Sequence, residues 1–80
     1  MNDTIDSTAV SLGDYIRKLR IEKGYSQYFM AYALDISQNA YCLLENGQTK
    51  FNFDRLIKIA RIFSLDPKDF LNGYFSQIES

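Results

Sequence analysis

The apolar positions recur at three- and four-residue spacing in five successive stretches, and no stretch alternates strictly in twos. That is the signature of amphipathic helices rather than strands. In the first stretch Leu12, Ile16 and Leu19 share one face with Tyr15 beside it, while Arg17, Lys18 and Glu22 turn outward. Ser11 with Asp14 three residues on reads as a capping pair that starts this helix, and Gly24 ends it. Ser26 is the next N-cap, with Met30, Ala31 and Leu34 inward. Asp35, Ile36 and Ser37 then break the period. Ser37 caps a third helix from Gln38 to about Asn46, with Tyr41 and Leu44 inward, and Gly47 stops it. Asn52 caps a fourth, on which Leu56, Ile59, Ala60 and Phe63 form one stripe. Asp66 and Pro67 open a fifth, which Phe70, Leu71 and Phe75 are expected to dock.

Residues 1–10 are polar, acidic at Asp3 and Asp6, and carry no sustained period, so a disordered N-terminal tail is expected over 1–10 and a single domain over 11–80. The chain has 46% hydrophobic and 24% charged residues and one Pro, which fits an ordinary globular protein. Its apolar runs fall short of the roughly 18 to 20 residues of a membrane span, and the N-terminus has no basic-then-apolar leader pattern. With a lone Cys42 that has no internal disulfide partner, the expected place is the cytoplasm, away from membranes. The chain has no His and one Cys, which argues against a zinc site and against Ser-His or Cys-His catalysis. No spacing singles out a pair among the acidic residues. The expectation is a protein that is not an enzyme and needs no cofactor or metal.

Two short helices joined by a tight turn form a recurrent DNA-binding unit, in which the second helix is held out to enter the major groove. The unit demands a small residue where the helices cross, a left-handed residue in the turn, and an apolar anchor after it. Ala31, Asp35 and Ile36 stand at those three places. From Leu12 to Leu71 the sequence resembles the XRE, or Cro/C1-type, helix-turn-helix family of phage repressors. The segments that carry the likeness are Ile-Arg-Lys-Leu-Arg ending at Arg20, Gly-Tyr-Ser-Gln ending at Gln27, and Leu-Glu-Asn-Gly ending at Gly47.

The resemblance implies an all-α, five-helix lambda-repressor-like DNA-binding domain and usually a homodimer on a palindromic operator. Gln38 and Asn39 would then begin the recognition helix, where an amide can bond bidentately to adenine. Leu43, one turn on, would touch thymine methyls. Gln27, Asn46, Thr49 and Lys50 would hold DNA phosphates, and Arg20 with Glu45 would form an internal salt bridge tying the first helix to the third. Plain structural alternatives stand beside these roles: Gln27 and Asn46 as helix-end caps, Gln38 and Asn39 as a solvated first turn, Leu43 as a protein-facing residue.

Two features depart from the family pattern. Asp35 stands where Gly is usual, although Asp enters left-handed space more readily than most residues. The net charge is -1, and the stretch from Ile36 to Leu44 carries no charge at all. Lys50, Arg55, Lys58 and Arg61 against Asp54 give a local net of four minus one, or +3, so basic character is local. The expected function is that of a sequence-specific DNA-binding transcriptional regulator, a repressor or an autoregulating antitoxin, whose partners are double-stranded DNA, a second copy and a toxin or other protein. The alternative is a protein-interaction module on the same scaffold, docking through Leu43, Phe51 and Phe53. The expected dimer surface lies on the fourth and fifth helices and draws on some of Phe51, Phe53, Phe63, Phe70, Tyr74 and Phe75, because so short a core cannot bury all of them.

Overall fold

The computed structural model describes the backbone of residues 7–79 and the side chains of residues 11–78. Its helices are α1 (Ser7–Lys23), α2 (Gln27–Leu34), α3 (Gln38–Glu45), α4 (Phe53–Ile62) and α5 (Pro67–Glu79), and no strand occurs among the described residues. The first helix thus begins at Ser7, one turn ahead of the expected Ser11 start. Ser11 is not a cap but lies inside α1, where its Oγ shares a hydrogen bond of 2.6 Å with the Tyr74 hydroxyl. The expected tail overlaps α1 at residues 7–10, and its remainder, residues 1–6, lies outside the described residues.

Local chemistry sets the other starts. Ser26 Oγ accepts from the Phe29 amide at 2.9 Å, Ser37 Oγ from the Ala40 amide at 3.0 Å, and Asn52 Oδ1 from the Arg55 amide at 2.7 Å. Asp66 accepts from the Lys68 amide at 2.8 Å, just ahead of Pro67. Each satisfies an amide that the first helical turn leaves without a partner.

The first four helices end alike. At each C-terminus one residue turns left-handed and the two amides that follow the helix fold back on its last turn, the arrangement of a Schellman motif. At the end of α2, Asp35 has φ 59°, its N–H donates to Tyr32 O at 3.1 Å, and the Ile36 N–H donates to Ala31 O at 3.0 Å. Gly24, Gly47 and Ser64 play the same part after α1, α3 and α4. Two of these four residues carry side chains, and both are small and polar.

The core gathers Leu12, Tyr15, Ile16, Met30, Ala31, Leu34, Tyr41, Leu44, Ile59, Ala60, Phe63, Phe70 and Tyr74 from all five helices. α2 packs on α3 and α4, α1 packs on α3 and α5, and α4 packs on α5. Two close approaches organise this packing. A Cβ on Gly13 would run into the backbone of Leu44 and Glu45, so α1 lies almost directly against the end of α3. Gly73 has Tyr15 in the same relation, and the Tyr15 hydroxyl donates to Phe70 O at 2.7 Å, which locks α5 to α1. That docking corrects one expectation. Phe75 does not seat α5, for it is 48% exposed; its neighbour Tyr74 is the buried ring, stacked obliquely on Tyr15 at 5.6 Å. Phe63 and Phe70 are fully buried in the same core, so they and Tyr74 are not available to a dimer surface. Among the described residues no helix is long and apolar enough to cross a membrane.

Candidate nucleic-acid interface

The pair α2 and α3, eight residues each, is joined by Asp35, Ile36 and Ser37. Met30, Ala31 and Leu34 bury one side of α2, and Tyr41, Leu44 and Glu45 bury one side of α3. What remains outward on α3 is Gln38, Asn39 and Leu43, the last 38% exposed, with Cys42 half-buried beside them. Asn39 and Leu43 are four residues apart and therefore share a face. The Ser37 cap holds the first turn, so Gln38 and Asn39 project from a fixed helix end.

The other end of α3 is built around Glu45, a carboxylate only 3% exposed. The Arg20 Nε of α1 donates to its Oε2 at 2.5 Å, and the Tyr41 hydroxyl donates to the same oxygen at 2.6 Å. Gln27 Nε2, at the start of α2, donates to Oε1 at 3.1 Å. Arg20 spends a further N–H on the carbonyl of Tyr25 at 2.9 Å. One buried charge therefore collects the ends of α1, α2 and α3, and its oxygens have the partners that burial of a charge demands. The hydrogen bond to Glu45 raises the pKa of Arg20, and burial, reinforced by the same carboxylate, pushes the Tyr41 phenol well above its ordinary range. Tyr41 thus stays an O–H donor at any working pH.

This clustering brings Gln27 to the same end of α3 as Asn46, whose backbone N–H closes the helix on Cys42 O at 3.1 Å and whose side chain is exposed. Thr49, half-buried, and Lys50, exposed, follow in the loop to α4. Gln38 and Asn39 sit at the opposite end of the helix, about 12 Å away by the rise of eight residues. The expected contacts are therefore divided between two ends of one rigid rod. Sequence reasoning did not anticipate that Gln27 and Tyr41 join the Arg20–Glu45 pair, since nothing in a linear pattern shows which polar side chains converge on a buried carboxylate. Gly13 inside an otherwise helical run was the available sign of the close approach that makes it possible.

A long first helix, two short helices crossing over a left-handed turn, and an outward uncharged face on the second of them define a helix-turn-helix domain. The family model described as a helix-turn-helix domain matches residues 13–75, and the chain belongs to that family, of the XRE or Cro/C1 type. The chain is 31% identical over 67 residues to the SPbeta prophage-derived uncharacterized HTH-type transcriptional regulator YonR of Bacillus subtilis (strain 168). That alignment covers 84% of this chain and 62% of YonR, so the chain spans less than two thirds of its relative's length. Among solved structures, the clp gene regulator ClgR from Corynebacterium glutamicum superimposes with a TM-score of 0.79 at 21% identity, over 89% of this chain and 76% of that one, a likeness of fold. The restriction-modification controller protein C.AhdI from Aeromonas hydrophila does so with a TM-score of 0.72 at 25% identity, over 80% and 97% of the two chains.

Proposed function

We propose that the protein is a sequence-specific DNA-binding transcriptional regulator that acts by occupying an operator, with no chemistry of its own. The observation that carries this reading is the rigid presentation of two exposed amides, Gln38 and Asn39, at the capped start of α3. An amide in a major groove reads adenine through N6 and N7, and Leu43 on the same face suits a thymine methyl. At the other end of α3, Gln27, Asn46, Thr49 and Lys50 hold the phosphates that set the register. Gln27 is bound to Glu45 through one N–H of its Nε2. The second N–H of that group is the donor for a phosphate. The protein works in the cytoplasm as a homodimer, and its exposed Phe53 and Phe75 supply the apolar contact between copies. Repression and autoregulation beside a toxin are both served by this mode of action.

The test is a mobility shift on the DNA upstream of the protein's own reading frame. Gln38→Ala is expected to weaken the specific site by about 1 to 3 kcal/mol and to leave random DNA almost unchanged. Lys50→Ala is expected to weaken both alike and to lower the salt slope by about one unit. If neither substitution, nor Asn39→Ala, alters binding to the best sequence, the regulator reading falls. The interaction-module alternative, through Leu43 and Phe53, then takes its place.

A further inference from the structure

Beside the start of α3 the surface opens into a hollow of about 360 Å³, bounded by Tyr28 and Tyr32 of α2 and by Asp35, Ile36, Ser37 and Gln38 of the turn and α3. Its chemistry is unlike that of a surface made for DNA backbone. Tyr28 and Tyr32 stand one helical turn apart, 66% and 76% exposed. Neither ring hydroxyl has a hydrogen-bond partner among the described residues, and the Asp35 carboxylate on the rim has neither such a partner nor an ion pair among them. A carboxylate held at the mouth repels phosphate. Two aromatic rings beside it attract a cation, because their faces are the negative ends of the ring quadrupole. No basic side chain lines the hollow.

We infer that this hollow is a docking site for a basic side chain, an arginine or lysine projected by a partner protein. The carboxylate and the rings complement the charge, and the Ser37 hydroxyl and Gln38 amide offer acceptors to the N–H groups of a guanidinium. A protein rather than a free cation is the occupant because the hollow is not isolated. Phe29, 40% exposed, extends the aromatic surface of α2 beyond Tyr28 and Tyr32. Aromatic residues around an anchoring arginine are the composition of interface hot spots. Such a partner would rest on α2 and the turn and reach α3 only at Gln38, so the site does not require that α3 read DNA.

The experiment is an NMR titration of the full chain with N-acetyl-arginine amide and, separately, with its uncharged isostere N-acetyl-citrulline amide. Saturable shifts are expected at the amides of Tyr32, Asp35 and Ser37, with the citrulline compound at least about fivefold weaker. Asp35→Asn and Tyr32→Ala are each expected to weaken the arginine compound by about fivefold. Asn is chosen because it also adopts the left-handed conformation, so the turn survives, and an unchanged thermal midpoint verifies this. Operator affinity is expected to be unaffected by Asp35→Asn, whereas Lys50→Ala, which lies outside the hollow, tests the DNA reading separately. Absence of saturable shifts, or equal response to the citrulline compound, overturns the proposal. Shifts of the same amides by inorganic phosphate would assign the hollow to nucleic-acid backbone and overturn it as well. Loss of self-association in Asp35→Asn would make the occupant a second copy, with the same consequence for a foreign partner.

Discussion

At the scale of single residues, Glu45 governs the most. Its carboxylate is buried, and Arg20, Gln27 and Tyr41 converge on it from three helices. A buried ion pair adds little net stability over a well-packed apolar pair, yet removing one member leaves the other charge without compensation. Arg20→Met is accordingly expected to destabilise by about 3 to 5 kcal/mol, since the Glu45 carboxylate remains buried. The double variant with Glu45→Leu is expected to lose less than the sum of the two single changes, with a coupling of about 1 to 3 kcal/mol in urea unfolding. Independent, additive losses would mean that the pair does not act as a unit. The pair also bears on the DNA reading, because the bond from Gln27 to Glu45 fixes the amide proposed to meet a phosphate.

At the scale of elements, the informative contact is that of α1 on α3 at Gly13. In an exposed helix Gly→Ala stabilises by about 1 kcal/mol, because alanine restricts the unfolded chain and is the better helix former. Here the added methyl would strike the backbone of Leu44 and Glu45, which has no rotamer to yield. Gly13→Ala is therefore expected to destabilise by about 1 to 3 kcal/mol. The sign of the change in thermal midpoint decides the matter: a rise would show that α1 does not lie this close to α3. Because α3 carries the outward amides, a loosening here is also expected to weaken operator binding at temperatures where the fold is still intact.

At the scale of the molecule, the division of aromatic residues between core and surface limits which of them the proposed dimer can use. Phe63, Phe70 and Tyr74 are consumed by the core, while Phe53 is 72%, Phe75 48% and Ile78 52% exposed. Dimerisation through the start of α4 and the outer face of α5 is expected from these, and sedimentation at micromolar concentration checks it. Phe53→Ser with Phe75→Ser is expected to give a folded monomer with weakened operator binding. Two-fold pairing would set the recognition helices about 34 Å apart, one turn of DNA. Inserting half a turn between the operator half-sites is then expected to abolish cooperative binding. A protein that remains monomeric both free and on DNA would refute the dimer.

What the sequence determined by itself was most of what short-range geometry governs. Ser26, Ser37, Asn52 and Asp66 cap the helices they precede because a side-chain oxygen reaches an amide two or three residues away, whatever the rest of the chain does. The left-handed stops at Gly24 and Gly47, the inward faces of α2 and α3 and the order of the five helices follow from the same local rules. The tertiary structure decided whatever depends on two helices at once. On α5 the residue expected to face inward is Phe75, not Tyr74. The approach of Tyr15 to Gly73 and of Tyr74 to Ser11 chose Tyr74 for the core. The start of α1 at Ser7 escaped a reading that took Ser11 for a cap, because a serine inside a helix can instead bond across to another helix. Gln27 joins Glu45, and Tyr28, Tyr32 and Asp35 enclose a hollow, only because α2 crosses α3 at one particular angle. A helix period gives direction about its own axis, and the crossing of two axes is set by which side chains can interdigitate between them.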